Sequence, residues 1–224
     1  MSTYLTINLI IVAVPLALTF LPVFRFYRKW RPLLASIVIV GGLFIFWDAL
    51  FTIRGDWTFN PLYVNGLKVL SLPPEEWLFF FTVPYSCLFL YEGISAIVLD
   101  IKIFYSSAFY VLLSGLSLYA AWMFRGKEYT LVVSLLSAAV FLLGASRLRY
   151  IFTSRVYWIW ITLGMGLFVV FNHFLAALPV VIYSPLAITN FRLASIPIED
   201  FFYNYCLLTL YLAIYIRVKN LASH

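Results

Sequence analysis

The stretch that decides the fold is an acidic pair behind a proline, and it occurs twice. Leu-Pro-Pro-Glu-Glu-Trp occupies residues 72–77 and Ile-Pro-Ile-Glu-Asp-Phe occupies residues 196–201, so the two copies lie 124 positions apart. The same offset aligns further pairs without a gap: Pro61 with Pro185, Trp47 with Phe171, Asp48 with Asn172, and Tyr91 with Tyr215. The chain therefore contains an internal repeat, and each copy carries two carboxyl groups.

The composition is that of a membrane protein. Of the 224 residues, 64% are hydrophobic and 11% are charged, whereas soluble domains have about 45–50% apolar and about 25% charged residues. Apolar runs long enough to cross about 30 Å of hydrocarbon occupy roughly 4–24, 33–53, 75–97, 104–124, 129–146, 156–176 and 198–217. The first run has no basic segment before it, so we expect a retained span and not a signal peptide.

The basic residues predict how the spans are oriented. Ten of the 15 Lys and Arg residues fall on one predicted side: Arg25, Arg28, Lys29, Arg31, Lys102, Arg147, Arg149, Arg155, Arg217 and Lys219. The positive-inside rule then places the N-terminus outside and the C-terminus in the cytoplasm, in a multi-pass protein of the cell membrane. This topology and the anionic lipid headgroups account for the net charge of +6, and we expect membrane lipids but no nucleic acid as partners.

We predict an all-α membrane protein with seven transmembrane helices, built as two parallel three-helix repeats joined by a linking helix. Residues 1–100 form the first three-span repeat, 101–127 the linking span and 128–224 the second repeat. Because one extra span restores the starting side, both repeats run in the same direction, with a site expected at their interface. The long connections, about 54–72 and 177–196, are apolar and are expected to dip into the protein where they line a cavity.

Each acidic pair falls in the first turn of a predicted helix. Proline is tolerated there because its missing N–H has no partner to lose, and the helix dipole favours an anion. A purely structural role as a helix start explains one copy, but it explains two copies at one offset less well. Adjacent residues on a helix point about 100° apart, so only one of Glu75 and Glu76 is expected to face the interior.

Asp48 is a third candidate acid. It lies roughly 6–8 Å from the outer end of its span, at a level similar to Glu75. Two close carboxyl groups share a proton, which yields an acid that stays protonated at neutral pH. The alternative for Asp48 is an ion pair with Arg54. In the second repeat Asn172 takes the place of Asp48, and His173 beside it is a catalyst or, alternatively, a hydrogen-bonded packing residue.

Aromatic residues follow both acidic pairs. Trp77, Phe79 and Phe80 follow the first pair, and Phe201 follows the second. Aromatic side chains collect at membrane interfaces, but their ring faces also stabilise cations. We therefore predict a carboxyl group at the mouth of an aromatic-lined slot.

Several kinds of site are not indicated. The sequence has no G-x-G-x-x-G fingerprint, no P-loop and no D-x-x-x-D pair, so we expect no cofactor. Cys87 and Cys206 lie within predicted spans at positions that the repeat does not relate, and the chain has only two His; we expect neither a disulfide nor a metal site. The last span contains no lysine, which excludes a retinal Schiff base.

The doubled motif resembles that of the integral-membrane lycopene cyclases. Phe59-Asn60, the run 72–80 and the run 197–200 carry the resemblance, which covers nearly the whole chain. The chain is similar to the form of that family in which the two small subunits of the bacterial heterodimer are fused. The second copy departs from the pattern at Asn172, and its connection lacks the Gly-Asp-Trp of 55–57.

The resemblance implies a carotenoid (lycopene) cyclase that acts on a lycopene-like polyene. Protonation of a terminal alkene, attack by the neighbouring alkene and loss of a ring proton would give a β-type ring without redox change. The family's acid/base centre maps onto Glu75, Glu76, Glu199 and Asp200. Our hypothesis assigns acid/base roles to Glu75 and Glu199, with Glu76, Asp200 and Asp48 tuning them. Substrate binding is predicted for Trp77, Phe79, Phe80, Phe201, Asn172 and His173.

Two other functions stay open at this stage. Paired intramembrane carboxyl groups also serve proton-coupled transporters, and the aromatic slot would also suit a carotenoid-binding protein without turnover. The ring type (β, ε or γ), a mono- or bicyclic product, a C40 or C50 substrate and the oligomeric state are likewise open.

Overall fold

The computed structural model describes residues 1–22 and 24–221, and this part of the chain is mostly helical. Its helices are α1 (Thr3–Thr19), α2 (Trp30–Ser36), α3 (Gly42–Arg54), α4 (Pro74–Ile97), α5 (Ser107–Met123), α6 (Glu128–Ala145), α7 (Arg149–Phe152), α8 (Arg155–Ala177) and α9 (Ile198–Leu221). A 3-10 turn (Phe26–Lys29) precedes α2, and a π-helical segment (Ile37–Gly41) links α2 to α3. The short strands are β1 (Trp57–Phe59), β2 (Val181–Tyr183), β3 (Arg192–Leu193) and β4 (Ile196–Pro197).

The long apolar helices are those of a membrane protein, as the composition predicts. Within the described residues, five helical segments are long and apolar enough to cross a membrane: Phe26–Arg54, Pro74–Ile97, Glu128–Ala145, Arg155–Ala177 and Ile198–Leu221. The apolar helices α1 and α5 are shorter. The count of seven spans stays a prediction.

The predicted first span is longer than the helix observed in its place. The predicted first span, 4–24, includes Val23, which lies outside the described residues, and α1 ends at Thr19. Pro22 follows shortly after, and the residue before a proline is disfavoured in a helix. The predicted second repeat ends with 222–224, which also lie outside the described residues.

The third helices of the two predicted repeats have equivalent boundaries. Helix α4 covers Pro74–Ile97 and α9 covers Ile198–Leu221, so both ends differ by 124 positions. Strands β1 and β2 are related by the same offset. They pair antiparallel with Thr58 opposite Ile182, which are themselves 124 positions apart. An antiparallel pair centred on equivalent residues is the arrangement that a local two-fold axis produces.

The core lies where helices of one half pack against helices of the other half. Helix α1 packs on α4 and α6 packs on α9, whereas α2 packs on α9 and α8 packs on α4. The second helical segment of each half therefore contacts the third helix of the other half. Near the other end of α4 and α9, the rings of the equivalent residues Tyr91 and Tyr215 meet edge to face with centroids 6.5 Å apart. These contacts hold the halves together around a shared interior.

A charged cluster stabilises the end of α4 that lies opposite the acidic pairs. Glu92 pairs with Lys29 and Lys219, and the Tyr215 hydroxyl donates a hydrogen bond of 2.7 Å to Glu92 Oε1. Hydrogen bonds to charged groups contribute about 1.5–3 kcal/mol each. The cluster thus ties α4 to α9 and to the 3-10 turn before α2, far from the acidic pairs.

Candidate active site

Each acidic pair is placed by a tight hairpin that ends directly before it. The two central residues of both turns are in the left-handed region: Leu70 (φ 49°) and Ser71 (φ 67°) in the first, Ala194 (φ 47°) and Ser195 (φ 72°) in the second. These turns again differ by 124 positions. Left-handed backbone is unfavourable for residues other than glycine, and such strain clusters at functional sites. Both helices therefore begin at a defined point with their carboxyl groups in the first turn.

The second member of each acidic pair faces one common cavity between the halves. Glu76 from α4, Asp200 from α9 and Asp48 from α3 line this cavity of about 80 Å³. Their exposed fractions are 7%, 5% and 7%, so all three carboxyl groups are buried. We call this space the acid cavity. It brings together carboxyl groups that lie far apart in the sequence and come from both predicted repeats.

Three donors surround Asp200. The Tyr129 hydroxyl donates to Oδ1 over 2.8 Å, the Tyr183 hydroxyl donates to Oδ2 over 2.8 Å, and Asn172 Nδ2 donates to Oδ2 over 3.2 Å. Hydrogen bonds that a carboxylate accepts stabilise its ionised form. The three donors therefore offset part of the cost of ionising this buried carboxyl group.

Glu76 and Asp48 have fewer donors. The Tyr4 hydroxyl donates to Glu76 Oε2 over 2.6 Å. Among the described residues, Oδ2 of Asp48 has no hydrogen-bond partner. Arg54, the alternative partner expected for Asp48, instead pairs with Asp56 at 3.3 Å and with Glu128 at 3.2 Å. A buried carboxyl with so few donors is unfavourable when ionised, and Glu76 and Asp48 each have fewer donors than Asp200.

The first member of each acidic pair faces the preceding connection instead of the acid cavity. Glu75 Oε1 accepts a hydrogen bond from the backbone N–H of Asn65 over 2.7 Å, and Glu199 Oε1 accepts one from the N–H of Thr189, also over 2.7 Å. Both donors lie ten residues before their acceptor. Side-chain hydroxyls add to each: Ser2 to Glu75, and Thr130 (2.6 Å) to Glu199. Glu75 and Glu199 therefore fasten the connections to the helix starts.

The structure places the predicted substrate-binding residues in two groups. Phe79, Phe80 and Asn172 line the acid cavity. The other three lie elsewhere, and each has a different local contact. The Trp77 indole donates to the Val69 carbonyl over 3.1 Å.

Phe201 and His173 complete the second group. The Phe201 ring packs edge-on against Phe168 at 5.3 Å, so it supports a residue of the cavity wall from behind. His173 Nδ1 contacts the Ala194 carbonyl at 2.9 Å and the Ser195 hydroxyl at 3.0 Å. His173 therefore braces the left-handed turn, which matches the packing alternative considered for it.

Three tyrosines in the acid cavity were missed by the sequence reasoning: Tyr4, Tyr129 and Tyr183. The repeat held a signal for Tyr183 at the offset of 124 positions, and for Tyr4 and Tyr129 within one position of it. Tyr4 and Tyr129 stand at the starts of α1 and α6, 125 positions apart, and Tyr183 is 124 positions after Phe59, which also lines the cavity. With 16 tyrosines in the chain, the preference of tyrosine for membrane interfaces explained them without a site.

The hydroxyl of Tyr183 is a permanent donor. Burial, together with the negative charge of Asp200, raises the pKa of Tyr183 well above its usual value of 10. Tyr183 lies on β2, outside the helices, and its hydroxyl stays protonated throughout the neutral range. The arrangement can therefore keep a hydrogen bond on Asp200 whatever the bulk pH near neutrality.

Aromatic residues form much of the remaining cavity wall. Trp57, Phe80 and Tyr203 line the acid cavity beside the three carboxyl groups. Trp47 packs behind them, with its ring centroid 5.2 Å from that of Tyr203. Aromatic faces attract cations, so the wall suits a positive charge on carbon as well as a proton. Among residues 1–22 and 24–221, no group of three or more His, Cys, Asp or Glu is placed to hold a metal ion.

Comparison with known proteins identifies the family. The family model described as "Lycopene cyclase" matches residues 1–94 and 126–218, which together cover most of the chain. The two matched segments contain the two acidic pairs, one each, as a fused two-repeat form requires. No curated protein and no solved structure matches the chain significantly. The chain belongs to the lycopene cyclase family.

Proposed function

We propose that the protein is a carotenoid cyclase that closes the acyclic end group of a lycopene-like polyene to a β-type ring in the acid cavity. The observation that carries this proposal is the meeting of Asp48, Glu76 and Asp200 in one buried, aromatic-walled space. General acid–base catalysis needs a donor and an acceptor of protons at fixed positions. Both are available here within a single cavity.

The cyclisation needs one proton to be added to the end group and one proton to be removed from the ring. An acid adds a proton to the terminal C=C bond of the end group, which leaves a tertiary cation. The neighbouring C=C bond attacks this cation, so a ring C–C bond forms and the positive charge moves onto the ring. A base then removes a ring proton, and the released electron pair forms the new C=C bond. The product is an isomer of the substrate, and no electrons are gained or lost.

The roles follow from the two halves of the cavity. Asp48 and Glu76 lie together with few donors, so they share a proton and supply the acid. Asp200 accepts three hydrogen bonds, so it is ionised and acts as the base. This proposal exchanges the roles that the sequence hypothesis assigned. Glu75 and Glu199 become positioning residues, because they bind the backbone of the connections and do not line the acid cavity.

The aromatic wall has a part in the same reaction. The ring faces of Trp57, Phe80 and Tyr203 would stabilise the cation between its formation and the loss of the ring proton. The same burial keeps water away, which would otherwise add to the cation and give an alcohol.

We also propose the membrane arrangement that this function requires. Seven apolar helices, α1, α2–α3, α4, α5, α6, α8 and α9, would span the cell membrane as two parallel repeats with α5 as the link. The equivalent boundaries of α4 and α9 and the central pairing of β1 with β2 support this arrangement. The N-terminus would lie outside and the C-terminus in the cytoplasm, as the basic residues predict.

The test compares the two members of each acidic pair in a bacterial host that accumulates lycopene. Glu76→Gln and Asp200→Asn are expected to lower the yield of cyclic carotenoids by about 100-fold or more, the contribution typical of general acid–base groups. Glu75→Gln and Glu199→Gln are the matched controls, one helix position away, and should stay within about tenfold of the wild type. Immunoblots of the membrane fraction correct each yield for protein level.

Each contrary result has a definite meaning. If Glu76→Gln and Asp200→Asn keep the wild-type yield while Glu75→Gln and Glu199→Gln lose it, the acid/base roles belong to the first member of each pair. If well-inserted wild-type protein leaves lycopene unchanged, cyclisation of this substrate is refuted, and transport or pigment binding without turnover becomes the better account.

A further inference from the structure

A long apolar groove runs along the helices beside the acid cavity. It has a volume of about 450 Å³, and its walls come from α1, α4, α8 and α9. Sites for small molecules commonly measure about 300–1,000 Å³. Most of its lining is aliphatic or aromatic, and its polar side chains are Ser86, Asn172 and Asn204. We call this space the α1–α8 groove.

The α1–α8 groove continues into the acid cavity. Five residues line both spaces: Phe79, Phe168, Asn172, Leu175 and Asn204. Asn172 is also the amide that donates to Asp200. A linear molecule that lies in the groove therefore points one of its ends at the carboxyl groups.

The other side of the α1–α8 groove faces outward. Ile10 and Val14 on α1 are 58% and 65% exposed, and Leu167 on α8 is 47% exposed. All three line the groove. Exposed aliphatic residues on apolar helices are in contact with lipid in a membrane protein. The groove is thus open on its outer side at these three residues, where a bilayer would supply hydrocarbon.

We propose that the α1–α8 groove is the channel through which the polyene enters sideways from the bilayer, and that it holds the chain behind the reacting end group. This inference rests on the proposed cyclase function. The occupant is a polyene because it is linear and wholly apolar, like the groove, and because only its end needs to meet acid and base. A water-soluble substrate would need a polar path, and the groove does not offer one.

A second apolar groove provides a contrast. It measures about 340 Å³, lies between α5, α6 and α9, and is lined by Leu116 and Glu199 among others. None of its lining residues lines the acid cavity. A polyene in this second groove would therefore not reach Asp48, Glu76 or Asp200. It follows that one end group is cyclised in each binding event. Formation of a second ring requires the polyene to dissociate and to bind again with its other end in the acid cavity.

The experiment narrows the mouth of the α1–α8 groove and compares substrates of two lengths. Val14→Trp and Leu167→Trp place a bulky ring at exposed positions, where folding is little affected. Leu116→Trp is the matched control, because Leu116 is 55% exposed and lines the second groove. Purified proteins in liposomes are given either lycopene or a truncated polyene that carries the same acyclic end group.

The expected result is a loss that depends on chain length. Turnover of lycopene should fall about tenfold or more in Val14→Trp and Leu167→Trp, equivalent to a loss of about 1.4 kcal/mol. Turnover of the truncated polyene should stay within about twofold, and Leu116→Trp should resemble the wild type on both substrates. Unchanged lycopene turnover in the two mouth variants would overturn the proposal that the polyene enters through the groove. An equal loss on both substrates would overturn the proposal that the groove holds the chain behind the end group.

A binding measurement separates this inference from the proposed function. The absorption spectrum of lycopene shifts when the polyene moves from lipid into a protein site, and it can be followed in Glu76→Gln, which is expected not to turn over. Binding to Glu76→Gln that is lost when Val14→Trp is added supports the groove even if the wild type cyclises nothing. Binding that Val14→Trp leaves unchanged refutes the groove even if the wild type is an active cyclase.

Discussion

The two halves of the acid cavity hold similar carboxyl groups in different surroundings. In the first half Glu76 lies with a second acid, Asp48, whereas in the second half Asp200 lies with the amide of Asn172. Asp48 and Asn172 occupy equivalent positions of the repeat. Under the proposed roles, this one acid-to-amide difference separates a site that retains a proton from a site that accepts one. Two copies of one motif can in this way take different roles, one as the acid and one as the base.

The largest expected effect comes from making the first half resemble the second. Asp48→Asn removes the acid neighbour of Glu76 and supplies an amide donor in its place, so the shared proton is lost. We expect cyclisation to fall about 100-fold or more, as for other general acids, measured as turnover of lycopene in liposomes. Asp56→Asn is the control, since Asp56 pairs with Arg54 outside the acid cavity. Turnover of Asp48→Asn within about threefold of the wild type would contradict the division into acid and base halves.

A smaller effect is expected when the second half is made to resemble the first. Asn172→Asp removes one donor from Asp200 and places a carboxyl group beside it, so the two would share a proton and the base would be weakened. We expect a loss of about tenfold near neutral pH. Because the proton shared by the introduced carboxyl group and Asp200 is released as the pH rises, the ratio of variant to wild-type turnover should rise toward one at alkaline pH, although both rates fall as the acid loses its own proton. A loss that is the same at every pH would show that Asn172 acts only through packing.

The smallest effect concerns one donor of the second half. Tyr183→Phe leaves the hydrogen bonds from Tyr129 and Asn172 to Asp200 in place. We therefore expect turnover to fall only about threefold, which corresponds to the free energy of one neutral hydrogen bond. Because the pKa of Tyr183 is raised well above 10 by burial and by Asp200, its hydroxyl does not ionise below that pH. The pH profile of the wild type between about 7 and 10 should therefore contain no step that Tyr183→Phe removes. Such a step would contradict the conclusion that the Tyr183 hydroxyl stays protonated and donates to Asp200 throughout this range.

Much of the fold follows from the pattern of the sequence. The offset of 124 positions and the prolines at 73 and 197 predict where α4 and α9 begin, and the apolar runs predict the long helices. Strands β1 and β2 were not predicted. Each has three residues, and its hydrogen-bond partner lies more than 100 positions away, so no local alternation of polar and apolar residues marks it.

The site was predicted only in part for a similar reason. The sequence pointed to Glu75, Glu76, Glu199, Asp200 and Asp48, and all of them are buried. Which neighbour faces the cavity depends on the rotation of the helix, because adjacent residues point about 100° apart. The first member of each pair is instead bound by the connection before the helix, through the backbone N–H groups of Asn65 and Thr189. Periodicity alone does not contain this information.

The most direct test of the central claim is a single-turnover reaction of the purified protein with lycopene in D2O. If an acid of the cavity that exchanges with solvent protonates the end group, each ring formed should carry one deuterium, and the product should otherwise have the mass of the substrate. Glu76→Gln and Asp200→Asn should give about 100-fold less labelled product, because ring formation itself is expected to fall by that factor. A cyclic product without deuterium, or one whose mass shows a gain or loss of hydrogen, would contradict the acid/base account.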